Sequence, residues 1–379
     1  MGLPGATSGT SATASGSGGS AGTEGTLMPP TGAGTFTGGN GSVGGTSGAS
    51  GSSAAGTRAV DPGSEGDGEF QVGPDYPKSP DLTPKGVPQG RVFDFTLDSK
   101  DSQFFKGTDT TLLAKNQHTF SRAIKVYVPA KYKDGQAAPL FVIHDGPKQF
   151  DIAKIAVDNL SHETNAVRRL PAFVIVSIAN GGGDDKGSER GLEYDAMSDR
   201  YVRFVDEEVL PSVLANSAVK AAYPKLQFTQ DPEGRATMGC SSGGAAAFTM
   251  GWFRPDLYRR IITYSGTFVD QQDDDATEEA TYPLGAWEYH SGLSLIANSD
   301  KKPLRVFLST NESDIGNAEA ESTHHNWVMA NQRMMKALAA KGYHYRYLFG
   351  KNAGHAPVKL QENTLPEALL WVWRGYAVE

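Results

Sequence analysis

Residues 233–248, EGRATMGCSSGGAAAF, decide the fold of this chain. Residues 235–240 form a short apolar run of strand character, residues 243–253 an Ala-rich run of helical character, and Ser241 and Ser242 stand between them. Gly239-Cys240-Ser241-Ser242-Gly243 fits the pattern G-x-S-x-G in one register only, with Ser241 at its centre. A strand that enters a helix through so tight a turn needs small residues on both sides. The turn lifts the central side chain to a helix N-terminus, where backbone N–H groups can stabilise an anion. Three fixed residues in five recur by chance among small residues, so the weight of the motif rests on its context. The plain alternative is a glycine-rich turn that cradles a phosphate.

The same alternation extends outward in both directions. Strand-like runs occupy residues 90–99, 123–132, 138–146, 171–183, 259–266, 303–310 and 345–350. Helix-like runs occupy 198–214 and 326–343, with Gly342 as the stop of the second, and a terminal helix covers 364–376. Buried strands that alternate with helices predict an α/β fold: a mostly parallel sheet with helices on both faces. Ligands bind beyond the carboxyl ends of such strands. That rule points to Asp145-Gly146, Ala179-Asn180-Gly181, Ser241, Ser265-Gly266, the stretch from Asn311 to Asp314, and His355.

Composition sets the boundaries. Residues 1–60 are dominated by Gly, Ser, Thr and Ala, with Glu24 and Arg58 as the only charges, which is the composition of a disordered tether. Residues 61–87 are rich in Pro, Gly and Asp and read as a linker, and residues 88–379 as a single catalytic-sized domain. A net charge of -8 argues against nucleic acid or an anionic membrane as partner. No apolar run is long enough to span a bilayer. The N-terminus carries no export signal, yet a Gly/Ser/Thr tether is typical of secreted or surface-anchored proteins, and that is the expected location. A lone cysteine, Cys240, cannot form an intramolecular disulfide; behind the turn it reads as a small apolar residue.

A serine nucleophile needs a base, and the base needs an acid to hold its tautomer. Of eight histidines, His355 alone lies in a glycine-containing loop after the last strand and before the last helix. His118, His162 and His344 read as surface groups, His144 as a local hydrogen-bonding group, and His290, His324 and His325 as loop residues without metal-ligand spacing. The loop after residues 303–310 offers Asp314 as the acid, with Glu312 as its competitor. The order Ser241, Asp314, His355 is that of the α/β-hydrolases. The backbone N–H of Ser242 is the expected first donor to an oxyanion, and Gly146 or Lys148 the second, because Pro147 has no N–H.

These residues resemble the esterase D and enterochelin-esterase-like branch of the α/β-hydrolases. That group includes the feruloyl and acetylxylan esterases of carbohydrate esterase family 1. The likeness runs through residues 86–95, 125–132, 139–146, 189–211, 232–268, 304–314 and 326–355 and into the terminal helix, 364–376. It implies a serine hydrolase that needs no cofactor and no metal, acting on an ester substrate free or carried on polysaccharide, with Ser241, Asp314 and His355 at the triad positions. It also implies that Arg190, Glu193 and Tyr194 border the site, unless Arg190 and Glu193 form a structural ion pair. Trp287 and Trp327 would wall an acyl or sugar subsite or else belong to the core. Feruloyl or acetyl esters are the expected substrates. The rival enzyme reading is a trilactone siderophore esterase, and a reading of another class is a non-catalytic carbohydrate-binding protein on a hydrolase scaffold. The acidic segment 270–280 lacks the EF-hand pattern and reads as a solvated loop.

Overall fold

The computed structural model describes residues 63–184, 186–271 and 281–377, so the tether reading of residues 1–60 and most of the acidic segment lie outside the described residues. In chain order the strands are β1 (Gly68–Val72), β2 (Arg91–Asp98), β3 (Ser121–Val128), β4 (Ala137–Ala138), β5 (Leu140–Ile143), β6 (Val174–Ile178), β7 (Gln227–Phe228), β8 (Arg235–Cys240), β9 (Arg260–Tyr264), β10 (Arg305–Asn311) and β11 (His344–Gly350). Nine of them form one sheet in the order β1-β11-β10-β9-β8-β5-β6-β3-β2, and β4 pairs with β7 apart from it. Only β3 runs antiparallel to its neighbours, β2 and β6. Every residue of β5, β6, β8, β9 and β10 is buried, as continuous apolar strands covered on both faces require.

Helices α1 (Phe150–Ser161) and α5 (Val358–Val372) cover one face, packing on Phe141, Ile143, Ile175 and Ile262. The helix Arg200–Phe204, α3 (Ser242–Phe253) and α4 (Trp327–Ala340) cover the other, on Val142, Val176, Ile261 and Val306. The two residue sets alternate along each strand, as the period of two demands. Helix α3 has no polar stripe and is buried from Ser242 to Trp252, because it crosses the centre of the sheet with no face toward water.

Two boundaries differ from the sequence reading. The segment 61–87 is not merely a linker, because β1 lies within it and pairs in parallel with β11, Phe70 opposite Leu348. Five residues among glycines and prolines carry little strand signal of their own; β11 and the Phe70–Phe307 ring contact at 6.5 Å supply the template. The terminal helix begins at Val358 and accommodates Pro366 inside it.

Candidate active site

Ser241 closes β8 and precedes α3 with φ 58° and ψ -131°, a conformation that a non-glycine residue adopts only under constraint. The constraint is visible in its backbone. Its N–H donates to Tyr264 O at 3.0 Å, and its carbonyl accepts from Gly244 N at 2.8 Å, Ala245 N at 3.1 Å and Thr267 N at 3.1 Å. Gly239 is required by close approach: a Cβ there would lie 2.1 Å from the carbonyl oxygen of Gly243. The Ser241 side chain is half-buried, and its Oγ lies 3.4 Å from Thr267 Oγ1, which also meets Trp327 Nε1 at 3.4 Å. Ser242 opens α3, where first-turn N–H groups have no partner within the helix.

His355 and Asp314 are brought together from separate loops, with Nδ1 2.6 Å from Oδ1. Thr310 Oγ1 donates to the other carboxylate oxygen at 2.9 Å, and Ile315 N donates to Oδ1 at 2.9 Å. Burial alone would raise the Asp314 carboxyl. The hydrogen bond and charge of His355, helped by donors from Ser265 and Ile315, outweigh burial and hold it below the usual carboxylate range. Glu312 turns away: its carboxylate accepts from Asn352 N at 2.9 Å and Lys351 Nζ at 3.3 Å.

The loop after β5 departs from expectation. Gly146 donates its N–H to Ile178 O at 2.9 Å, so that donor is engaged in the sheet and is not free for an oxyanion. Lys148 N makes only a long contact, 3.4 Å, to Asp145 O. His144 is fully buried between Thr237 Oγ1 at 2.8 Å and Tyr201 Oη at 3.3 Å, and desolvation pushes it down to about 3.

Arg190 and Glu193 do not pair with each other. Arg190 grips Asp145 through Nε at 2.9 Å and Nη2 at 2.8 Å and also reaches Asp184, whereas Glu193 pairs with Arg122 and accepts from Gly181 N at 3.1 Å. Tyr194 Oη accepts from Asp145 N at 3.0 Å. All three residues of helix α2 (Glu189–Tyr194) are buried, and together they brace the loops behind Ser241. A Cβ on Gly243 would meet Asp145 Oδ2 at 3.3 Å, which places this braced carboxylate against the first turn of α3.

The two tryptophans also separate. Trp327 faces the site, its ring 6.3 Å from and perpendicular to that of His355. Trp287 is 1% exposed and sits in the core against His290 and His324, so it offers no wall to a substrate. Desolvation pushes the Cys240 thiol up to about 12, consistent with a packing residue. Among the described residues no cluster of ligating side chains could hold a metal ion.

Sequence reasoning noted Ser265 only as a strand end and missed Thr267 altogether. Both lie just beyond β9, whose neighbour in the sheet is the strand of the elbow, and no spacing rule relates them to Ser241.

A strand–elbow–helix serine, with a buried aspartate and a histidine joined at neighbouring strand ends of a mostly parallel sheet, defines an α/β-hydrolase. Residues 116–369 match the profile of the Esterase family, described as "Putative esterase", and the chain belongs to that family of carboxylic ester hydrolases. The fold is shared with a ferulic acid esterase at 17% identity and a TM-score of 0.51, covering 76% of this chain and 99% of that one. Also similar are the enterobactin esterase FES from Shigella flexneri (18% identity, TM-score 0.49, 78% of this chain and 63% of that one) and the CE1 ferulic acid esterase AmCE1/Fae1A from Anaeromyces mucronatus (13%, 0.48, 77% and 94%). No curated protein sequence matches the chain.

Proposed function

We propose that the chain is a serine esterase in which Ser241 is the nucleophile, His355 the base and Asp314 the acid that orients it. The observation that carries this reading is the 2.6 Å His355–Asp314 contact, which Trp327 links to the strained elbow serine: its ring lies 6.3 Å from that of His355 and its Nε1 meets Thr267, the neighbour of Ser241 Oγ. Asp314 accepts from Nδ1, so the other ring nitrogen is left to take the Ser241 proton as Oγ forms a bond to the ester carbonyl carbon. The oxyanion is met by the Ser242 N–H. His355 then passes the proton to the leaving alcohol, and water, deprotonated by the same histidine, attacks the acyl-enzyme and releases the acid.

Feruloyl or acetyl esters, borne on polysaccharide or on small alcohols, suit the site better than a ferric catecholate trilactone. A trianionic complex would call for free cations, and Arg190 and Arg122 are both engaged by carboxylates. Export to the cell exterior accords with a polymeric substrate. Among the described residues no helix is long and apolar enough to cross a membrane.

The test is a hydrolysis panel of methyl ferulate, acetylated xylan, p-nitrophenyl acetate and a catecholate trilactone, run with the native chain and with Ser241→Ala. Loss of all turnover in the variant and preference for the first two substrates are expected. Retained turnover would overturn the nucleophile, and preference for the trilactone would overturn the substrate class.

A further inference from the structure

The acid and the base of the proposed triad come from loops 41 residues apart, and neither loop by its own geometry sets the distance between them. A third element stands between the two loops. Ser265 follows β9, is completely buried, and takes φ 48°, in the left-handed region that disfavours serine. Its N–H donates to Ser309 O of β10 at 2.9 Å, which fixes its backbone to the strand that carries the acid loop.

The hydroxyl makes the link. Ser265 Oγ accepts from Ala356 N, the residue after His355, at 3.1 Å, and from Asn311 Nδ2, three residues before Asp314, at 3.1 Å. A serine oxygen has two lone pairs and one proton. Both lone pairs are engaged, one by the residue after the base and one by the last residue of β10, so a single buried oxygen ties the histidine loop to the strand end that carries the acid. Ala356 is itself held at φ 40°, so a strained residue on each side meets at this bond.

We infer that Ser265 is a positioning residue that sets the placement of His355 relative to Asp314. The inference rests on the triad reading above. Among the described residues the hydrogen bonds of Ser265 go to Ser309, Asn311 and Ala356 and not to the nucleophile, so it acts through the histidine loop and the acid strand. Asp314, through its carboxylate, is the ionisable group in contact with the His355 ring, and Trp327 presents its ring to the other side. Removing the Ser265 hydroxyl leaves Thr310 and Ile315 on Asp314, so the carboxylate persists while its aim relaxes.

Ser265→Ala and Ser265→Gly in the full chain test the role, the glycine variant because it tolerates φ 48° and folds where alanine is strained. With p-nitrophenyl acetate, both variants are expected to lose about 10- to 100-fold in kcat, the scale of a small misplacement of reacting groups. KM should be little changed. The acid limb of the kcat/KM profile should move to lower pH, because an aspartate whose aim on His355 has relaxed holds the imidazolium less strongly. Native kcat in both variants, a loss with an unmoved pH profile, or a loss in alanine that glycine restores would each overturn the role of the hydroxyl. Ser241→Ala run beside them separates the two readings. If that variant keeps activity, the triad itself fails; if it is dead and the Ser265 variants behave as native, only the positioning role fails.

Discussion

Asp314 is inaccessible to solvent while its partner His355, 2.6 Å away, keeps a quarter of its side chain exposed. That asymmetry lets the imidazole meet a substrate while the carboxylate stays fixed. Asp314→Asn should leave the fold intact and lower kcat by about 10³- to 10⁴-fold, because the amide favours the wrong tautomer of the histidine. Glu312→Gln, which removes only an exposed contact to Lys351 and Asn352, should change kcat/KM by less than about twofold. Steady-state assays of the pair with one chromogenic ester decide between the two acids.

Thr267 faces the nucleophile. The Trp327 indole is a donor only, so Thr267 Oγ1 accepts from it, and the same oxygen lies 3.4 Å from Ser241 Oγ. That contact holds the nucleophile's oxygen in place. Thr267→Val should reduce kcat by about 5- to 10-fold, the worth of one neutral hydrogen bond, and Thr267→Ser should restore most of the loss. A serine variant as slow as valine would show that the hydroxyl is not what matters.

Gly239 marks where β8 and α3 touch. A methyl group there has backbone as its nearest neighbour at 2.1 Å, and backbone cannot swing aside. Gly239→Ala should destabilise the protein by about 3 kcal/mol or more and lower activity in whatever still folds. Urea midpoints of variant and native chain measure it.

Asp145 supplies the acid sensitivity. Burial would raise its carboxyl, but the Arg190 guanidinium outweighs burial and holds it low. A carboxyl whose folded value is depressed contributes stability that is whole above the ordinary carboxylate range and is lost as pH falls through the folded value. Asp145→Asn should therefore cost about 3 kcal/mol at pH 7, where it leaves the buried Arg190 with Asp184 alone as anionic partner, and progressively less as pH falls below the ordinary carboxylate range. Equal losses across that range would assign the effect to packing rather than charge.

Glu189 behaves in the opposite sense. Both of its carboxylate oxygens are buried without a partner among the described residues, and desolvation, aided by the charge of Glu193, pushes it up to about 8. The folded chain thus binds a proton there that the unfolded chain releases, and stability drains as pH rises from the unfolded value toward 8. Glu189→Gln should raise stability at pH 8 by roughly 1–3 kcal/mol and leave it almost unchanged at pH 4. Thermal unfolding at the two pH values checks the sign.

The sequence by itself determined the class of fold and singled out Ser241 and His355 as the proposed nucleophile and base. Continuous apolar runs mark buried strands whatever their neighbours, and the close approach of Gly239 to the Gly243 carbonyl is a local steric requirement met within five residues. The choice of Asp314 over Glu312 was open in the sequence, because two acids two residues apart in a loop have the same local signal; the Lys351–Asn352 corner that captures Glu312 comes from another strand end. Tertiary structure alone decided that Arg190 pairs with Asp145 rather than Glu193, that Trp287 is core, that Gly146 donates its N–H to the sheet, and that residues 68–72 form an edge strand. Each of these depends on which segments lie side by side in the sheet. Strand order is set by long-range packing and hydrogen bonding, and no spacing along the chain encodes it.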